Sequence, residues 1–548
     1  MKIRTLFALL LATTLCAGAS AQVETKKVPK YTFSNQLEKQ QAELAKNPTL
    51  KEFANDRIAL DKSDRWRPDY HFTAPDGKLN DPNGLCFWQG KWHMFYQAYP
   101  TARDRKIQHW GHAISDDMIH WVDLPWALYP DADDQKIYSG TALVEKDRVI
   151  AIHHTPKYGN YVAVASDPLL LNWERLPNPV VRTPERDEKV PYRVFDPCIW
   201  RDGDYYYALS GSYHAGIAGV RRPEAWLFRS KDLKEWSYMH PFVEGDQFAE
   251  DNDDRACPYF WPIGSTGKHI LLSFSHFSGG HYTLGTYDRK QQKFIVYDGG
   301  GFNHGPTGRG GFHAPSATPD PNSDGVVTIF NLKQGFSGGG KNWNEAMTLP
   351  RLLTLDEFDL LQVKPFGDYQ SLRGAHRSFE NRVIEANKDT LLPELEGNVV
   401  EMEIEIDLKR CKALELDVLA SPGKQEYSRI VFYREAGHVQ KARTSKGRKE
   451  RYSTIMLDTS LGSLARETNL RQPEIADVYV AKGETLKLHI FLDRSIIEVF
   501  ANDRQSLVLR AYPTLDESRN VIVRAIGAPC EIVKADAWQM KSIYKHKQ

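Results

Sequence analysis

An internal repeat in the first two thirds of the 548-residue chain is the feature that most limits its fold. In each copy an apolar run leads to Ser-Asp or a similar pair and then, a few residues later, to a large aromatic side chain. These aromatic residues are Trp121, Trp173, Trp236 and Phe294. A period of about 50 to 60 residues of β structure is typical of one propeller blade. Adding one blade before the first copy and one after the last, each partial or complete, gives roughly five blades in residues 66–375.

The regions on either side of the repeat differ from it in residue pattern. Residues 22–65 contain good helix formers from Leu37 to Lys46, ended by Asn47-Pro48, and a second short helix is expected from Leu50 to Leu60. Residues 376–395 are predicted as a linker with helical potential. In residues 396–548, the alternation from Val400 to Asp407 and two later apolar runs predict a β-sandwich. The fold class is therefore all-β, with a short helical extension at the N-terminus.

The composition of the chain limits the classes of binding partner that we expect. Lys plus Arg equals Asp plus Glu at 71 each, so neither nucleic acid nor an anionic membrane surface is an expected partner. Aromatic residues make up 11% of the chain, and rings of this kind stack against sugars, although all-β folds also use many of them. The irregularly spaced cysteines favour neither a disulfide framework nor a zinc site. Neither a metal ion nor an organic cofactor is expected.

The N-terminus has the three regions of a secretory signal. Positive charge near Met1 is followed by an apolar run from Leu6 to Leu15 and by Ala19-Ser20-Ala21. We expect residues 1–21 to be removed near Ala21 and the protein to be exported. No later stretch approaches the ~20 apolar residues of a membrane span.

The stretch from Lys78 to Gly84 holds the first candidate for chemistry. Asp81 lies among two Asn, a Pro and a Gly, which favour a tight turn. Such a turn could hold a reacting carboxylate rigidly, or it could be an ordinary surface turn before a strand. The local sequence alone leaves both interpretations open.

Motifs in a fixed order along the chain extend this candidate. They are Arg67 to Phe72, Asn80 to Gly84, Phe95-Tyr96-Gln97, Trp110 to Ala113, Tyr138 to Ala142, Phe195-Asp196-Pro197, Ala256-Cys257-Pro258, Phe312 to Pro315, Trp343 to Leu355 and Asp493 to Phe500. In content and order they resemble glycoside hydrolase family 32, the family of invertases, inulinases and levanases. The resemblance implies a five-bladed propeller with a β-sandwich and hydrolysis of β-fructofuranosides.

The resemblance also implies roles for particular residues. Asp81 matches the family's nucleophile, and Asp196 matches the carboxylate that grips sugar hydroxyls in the transition state. The substrate-binding residues are expected to be Asn80, Gln97, Trp110, Ser139 and Trp343. Retaining hydrolysis additionally needs a protonated group that donates to the leaving oxygen.

That proton donor is missing from its usual place, because Ala256 stands where the family has glutamate. Side chains alternate along a strand, so Asp254 should share a face with Ala256, which makes it the first substitute. Glu250 is the next candidate. His276 is a third, although a structural role is favoured for that histidine over proton donation. Phe195 in place of the family's Arg, and Lys78 in place of Trp, depart from the pattern in the same pocket.

Three functions remain open at this point. The first is an exported glycosidase that acts on sucrose, inulin or levan, with a fructose-containing oligo- or polysaccharide as partner. The second is a hydrolase of a different furanoside. The third is a sugar-binding propeller that has lost its general acid.

Overall fold

The computed structural model describes residues 29–99, 107–265, 267–307, 310–336, 343–437, 439–441 and 449–547. The predicted signal segment and its cleavage point near Ala21 lie outside these ranges. Within them, no helix is long and apolar enough to cross a membrane.

Two helices precede the sheets in the described part of the chain, α1 (Leu37–Leu44) and α2 (Pro48–Ser63). Asn47 caps α2, since its side chain accepts hydrogen bonds from the N–H groups of Thr49 and Leu50. Arg57 of α2 forms a bidentate ion pair with Asp123 on the outer strand of the first blade. The extension therefore packs on the outside of the propeller, as a helical prefix.

Five sheets follow within the described residues, one for each blade. Their named strands pair antiparallel, except for the short first strand of the fourth blade, which pairs in parallel. The first contains β1 (Leu79–Trp88), β2 (Lys91–Ala98), β3 (His109–Ser115) and β4 (Val122–Leu128). The second contains β5 (Gly140–Val144), β6 (Val149–Thr155), β7 (Gly159–Ala165), β8 (Glu174–Arg175) and β9 (Val181–Arg182). The third contains β10 (Pro197–Asp202), β11 (Tyr205–Ala215), β12 (Arg221–Ser230) and β13 (Trp236–Pro241).

The fourth and fifth blades close the ring. The fourth contains β14 (Val243–Glu244), β15 (Ala256–Ile263), β16 (Lys268–Ser275), β17 (Gly279–Asp288) and β18 (Lys293–Gly301). The fifth contains β19 (Phe312–Pro319), β20 (Val326–Leu332), β21 (Ala346–Met347), β22 (Arg351–Leu355) and β23 (Leu361–Pro365). The innermost strands β1, β5, β10, β15 and β19 contact one another in that order, and β19 returns to β1. Each aromatic residue of the sequence repeat lies at or just before the fourth strand of its blade.

The C-terminal part is a sandwich of two six-stranded sheets. Its strands are β24 (Arg373–Ile384), β25 (Thr390–Leu391), β26 (Val399–Asp407), β27 (Ala413–Ala420), β28 (Ser428–Tyr433), β29 (Val439–Lys441), β30 (Lys449–Arg451), β31 (Ser453–Asp458), β32 (Glu474–Val478), β33 (Leu486–Asp493), β34 (Ile496–Ala501), β35 (Gln505–Arg510), β36 (Asn520–Ile526) and β37 (Cys530–Met540). β29 and β30 form a separate two-stranded ribbon. Apolar side chains of both large sheets form one buried core.

The segment 376–395 differs from its prediction. It carries most of β24 and all of β25, and these strands pair with β37 and β36 inside the sandwich. The prediction of a linker is wrong there. The residues of β24 are mostly polar and exposed because β24 is an edge strand, and the sequence of such a strand resembles that of a loop.

Candidate active site

Five side chains converge at one end of the central channel because the innermost strands all begin there. Asp81 is near the start of β1, Cys257 near the start of β15 and His313 near the start of β19, while Ser139 and Asp196 directly precede β5 and β10. The propeller thus gives one residue from each blade to a single pocket, although the five are far apart in sequence.

The backbone around Asp81 is a distorted strand, not the predicted tight turn. Residues 79–88 form β1, and its pairing with β2 is irregular between Leu79 and Pro82 and again between Asn83 and Cys86. Gly84 has φ +51°, in the left-handed region that favours glycine. These irregularities follow from the same Asn, Pro and Gly residues that suggested a turn, and they aim Asp81 at the channel.

The carboxylate of Asp81 is held from both sides. Its Oδ2 accepts hydrogen bonds from Gln97 Nε2 at 3.1 Å and from Ser139 Oγ at 2.8 Å. His313 Nε2 lies 3.2 Å from Oδ1. Asp81 is only 8% exposed, so this arrangement fixes the carboxylate in one orientation.

Opposing effects set the charge of Asp81. Burial alone would raise its pKa, but His313, the positive charge of Lys333 and the Ser139 hydroxyl outweigh burial and hold the pKa well below its usual range. Burial lowers the pKa of His313 to about 4, with a smaller contribution from Lys333. A neutral imidazole therefore faces an ionised Asp81 at neutral pH.

Asp196 has the opposite protonation behaviour. Burial and the negative charge of Asp81 raise its pKa to about 7, against the main-chain N–H and thiol of Cys257. The N–H of Cys257 donates to Asp196 Oδ2 at 3.1 Å. Two carboxyl groups with separated pKa values in one pocket are a common arrangement of catalytic sites.

Cys257 lies between the two carboxyl groups. Its Sγ is 3.8 Å from Asp81 Oδ2 and 3.4 Å from Asp196 Oδ2. Burial and the two neighbouring acids raise the pKa of the thiol far above its usual value, so it stays protonated. Like the other four cysteines after residue 28, it is a free, buried thiol.

A second group of polar residues borders Asp81 on the side of the fifth blade. Lys333 Nζ donates to Asn80 Oδ1 at 2.6 Å and to Glu345 Oε1 at 3.1 Å. Asn80 in turn donates to Gln97 Oε1 at 2.8 Å. Burial raises the pKa of Glu345, against the effects of Lys333 and Asn331.

The predicted binding residues divide into two sets. Asn80, Gln97 and Ser139 meet at Asp81. Trp110 and Trp343 do not: Trp110 is fully buried, stacks on Phe95 and donates its indole N–H to Tyr138 O. The prediction that Trp110 binds substrate fits the structure poorly, since a side chain with no exposed surface packs beneath the pocket and cannot touch a sugar.

Trp343 is also occupied elsewhere. Its indole N–H donates to Asp64 Oδ2 at 2.9 Å, and the guanidinium groups of Arg67 and Arg510 lie over its ring. With an exposed fraction of 2%, it joins the helical extension to the two large domains.

Asp254 lies where the strand alternation predicted, and one neighbour engages both of its oxygens. Its Oδ1 accepts the main-chain N–H of His276 at 3.1 Å, and its Oδ2 is 2.9 Å from His276 Nδ1. These contacts commit the carboxyl group of Asp254 to His276. Asp254 as the proton donor stays a prediction.

The position of the missing glutamate is apolar. Ala256 is buried with Cys257, Phe274 and Ala314, and Phe195 packs against this cluster. The two departures from the family pattern thus meet in space, where an acid and a base have both given way to uncharged side chains.

Sequence reasoning missed His313, Lys333 and Glu345 as parts of the site. His313 belongs to the Phe312 to Pro315 motif, which marked the residue without giving it a role. Lys333, directly after β20, reaches Asn80, and Glu345, directly before β21, reaches Lys333. Only the closed ring of blades brings them there.

One group of possible metal ligands occurs among the described residues, away from this pocket. Glu401, Glu403 and His489 lie together in the sandwich. Arg373 Nη2 donates to both carboxylates at 2.6 Å, so a guanidinium already fills the place of a cation.

Comparison with known proteins agrees with this architecture. Residues 71–365 match the model of the "Glycosyl hydrolases family 32 N-terminal domain", and residues 368–539 match that of the "Glycosyl hydrolases family 32 C terminal". The chain belongs to glycosyl hydrolase family 32. The expected fold and the expectation of a glycosidase are confirmed.

Its sequence identity to individual relatives is modest, but the similarity extends over most of the chain. The chain is 25% identical to the levanase of Bacillus subtilis (strain 168), over 81% of this chain and 66% of the relative. It is 26% identical to the sucrose-6-phosphate hydrolase of Escherichia coli, over 87% of this chain and 96% of the relative.

Solved structures share the fold. Fructan 1-exohydrolase IIa from Cichorium intybus superposes with a TM-score of 0.73 at 22% identity, covering 87% of this chain and 98% of the other. The exo-inulinase from Aspergillus awamori superposes with a TM-score of 0.70 at 21% identity, covering 87% and 99%.

Proposed function

We propose that this protein is an exported enzyme that hydrolyses β-fructofuranosidic bonds of sucrose, inulin or levan type by a retaining mechanism with Asp81 as nucleophile. The observation that carries the proposal is the state of Asp81, a buried carboxylate kept ionised and oriented by Gln97, Ser139 and His313. An ionised carboxylate at the end of a closed channel is the group that attack on an anomeric carbon requires.

Asp196 supports the reaction from the other side of Cys257. It is 4% exposed, and its Oδ2 is positioned by the Cys257 N–H. Sugar hydroxyls that donate to this carboxyl would fix the furanose ring over Asp81. Such contacts strengthen as positive charge develops on the ring in the transition state.

The named substrates of relatives support the choice of sugars. The matches include a levanase, β-fructofuranosidases of rice and a fructan 6-exohydrolase of Beta vulgaris. A related structure was solved with 1-kestose bound. These names all refer to sugars that contain fructose, and we propose that the pocket receives a fructose unit.

Fructose release tests the proposal. The mature protein, residues 22–548, is incubated with sucrose, inulin and levan, and free fructose is measured by chromatography. We expect release from at least one of them, and loss of that activity by on the order of 10⁴-fold in Asp81→Asn. Asp204→Asn, an exposed aspartate in the turn after β10, is the matched control and should leave the rate unchanged.

The apolar site around Ala256 favours a second candidate, a sugar-binding propeller without catalysis. Calorimetry with fructose oligosaccharides separates the two, because binding with no fructose release from any substrate would replace the proposed function with this one. Release of a different furanose, found by screening other glycans, would instead change the substrate.

Export is supported by the sequence of residues 1–21 alone. Sequencing the N-terminus of protein recovered outside the cytoplasm tests it, with a start at residue 22 expected.

A further inference from the structure

The reaction proposed above lacks a proton donor at the position where the sequence pattern places one. Ala256 offers only a methyl group, and Phe274, Phe195 and Ala314 fill the space around it. A glycosidic oxygen is a poor leaving group unless it is protonated as the bond breaks. Another group in the pocket must therefore supply the proton if sugars are cleaved.

The next pair of residues along the same face is polar. Ala256 of β15 is directly opposite Phe274 of β16. Continuing that antiparallel register by two residues towards the channel mouth brings Asp254 opposite His276, on the face that Ala256 and Phe274 share. The hydrogen bonds between Asp254 and His276 confirm the pairing.

Asp254 orients the imidazole of His276. Both of its oxygens are used, one by the His276 main-chain N–H and one by Nδ1. This leaves Nε2 without a hydrogen-bond partner among the described residues, on a side chain that is 53% exposed. A carboxylate that fixes one ring nitrogen while the other faces substrate is the arrangement found in many catalytic histidines.

His276 also lies beside the nucleophile's own neighbours. Its ring centroid is 5.2 Å from that of Phe274 and 6.3 Å from that of His313. His313 in turn touches Asp81. The exposed ring thus borders the pocket on the side of the absent glutamate.

We propose that His276, oriented by Asp254, is the general acid and base of this enzyme. The inference rests on the proposed function. As a carboxylate oxygen of Asp81 bonds to the anomeric carbon, the bond from that carbon to the leaving oxygen breaks, and His276 Nε2–H gives its proton to that oxygen. Neutral His276 then takes a proton from water, whose oxygen displaces Asp81 and releases fructose, and the starting charges return.

The surroundings favour the charged imidazole that this role needs. The hydrogen bond to Asp254 raises the pKa of His276 above its usual value, against partial burial, and Asp196 and Asp81 add smaller effects in the same direction. Five segments bring titratable or charged groups to this region. The groups are Asp254 before β15, Asp196 before β10, Asp81 of β1, His313 of β19 and Arg221 of β12, whose guanidinium lies over the ring of the adjacent Phe277.

Other acids near the pocket are less suited to the role. Asp196 could donate a proton below about pH 7, but its Oδ2 accepts the Cys257 N–H and lies next to Cys257 Sγ. Glu345 is bound by Lys333 and Asn331. His276 combines exposure, charge and an oriented free nitrogen.

The test compares two leaving groups. Sucrose, or whichever natural substrate is cleaved, needs its leaving oxygen protonated, whereas 4-nitrophenyl β-D-fructofuranoside needs little protonation. In His276→Ala, kcat/KM for the sugar should fall by about 10²- to 10⁴-fold, and kcat/KM for the aryl substrate should change by less than about tenfold. His240→Ala, which alters a half-buried histidine of β13 on another blade, is the control and should change neither value.

The pH profile separates an acid from a structural residue. Asp254→Asn should move the alkaline limb of kcat/KM for the sugar to lower pH, since it removes the bond that raises the His276 pKa. If Asp196 were the donor, loss of the His276 charge would raise the Asp196 pKa and move the limb to higher pH. His276→Asn, which keeps a polar side chain, should behave like His276→Ala.

Two results would overturn the inference. One is equal loss on both substrates in a folded His276 variant, and the other is no loss on the sugar. Asp81→Asn keeps this failure distinct from failure of the proposed function, because it should abolish turnover of both substrates whichever group is the acid.

Discussion

Asp81 and Asp196 share one pocket but hold their protons differently. Donors from Gln97 and Ser139 stabilise the charged form of Asp81. Asp196 receives one N–H and one thiol contact and faces the charge of Asp81. His313 and Lys333 also favour the charged form of Asp81, whereas the charge of Asp81 disfavours the charged form of Asp196. Both groups are buried, yet Asp81 is ionised and Asp196 has a pKa of about 7.

This difference predicts how Asp196 affects stability. Its pKa is about 7 in the folded protein, whereas an exposed aspartate has a pKa of 3.8, so the folded state retains a proton that the unfolded state loses. The stabilisation is fully present below about pH 4 and is lost as the pH rises to about 7, by at most about 4 kcal/mol. Asp196→Asn should therefore gain melting temperature relative to the unaltered protein at pH 8, and much less at pH 4.

Calorimetry at both pH values measures this gain, with Asp204→Asn as the control. A difference between Asp196→Asn and the unaltered protein that does not grow with pH would contradict the raised pKa. The variant should also lose activity, since stability and function oppose each other at this residue.

At the scale of the element, the innermost strands place the site by where they begin. Ser139 is fixed by the start of β5, at Gly140. A Cβ added to Gly140 would lie 1.9 Å from Ile152 O on the neighbouring strand β6. The close approach of the two strands thus depends on glycine, and it sets the position of the hydroxyl that donates to Asp81.

Gly140→Ala should accordingly disturb both packing and catalysis. We expect a loss of about 3 kcal/mol in stability, with kcat/KM reduced because Ser139 moves from Asp81. Thermal unfolding and fructose release measure the two effects. Gly203→Ala is the control: it has φ +58° and open space around the added Cβ, so only its backbone strain of about 1–2 kcal/mol should appear, with activity kept.

At the scale of the whole molecule, the sandwich binds the segment of chain that leads into the first blade. Asp493 at the end of β33 accepts the N–H groups of Asp69, Tyr70 and His71, and it also bonds the His71 ring. Glu498 of β34 pairs with Arg351 of the fifth blade. The first and fifth blades, which close the ring, are therefore both tied to the second domain.

Part of this organisation could be predicted from sequence. In the first four blades the repeat marks the approach to the fourth strand, where its large aromatic side chain is buried or half-buried. Asp81 and Asp196 could be identified from their motifs. The roles of Trp110 and Trp343 could not, since an aromatic residue in a motif supports the core as readily as a sugar, and only burial distinguishes the two.

The proton donor shows a further limit of sequence reasoning. Strand alternation correctly placed Asp254 on the face of Ala256, but its hydrogen-bond partner, His276, lies just beyond the end of the next strand, β16. A pairing across strands depends on register, which the sequence of one strand does not contain.

Trapping the reaction on the protein tests the central claim, Asp81 as nucleophile, most directly. In His276→Ala the aryl fructoside should still form the ester, while its hydrolysis lacks a base, so the intermediate should accumulate. Acid quenching, digestion and mass spectrometry should then find one fructosyl group on the peptide that contains Asp81. A fructosyl group on another residue, or none in a variant that still releases nitrophenol, would contradict the account.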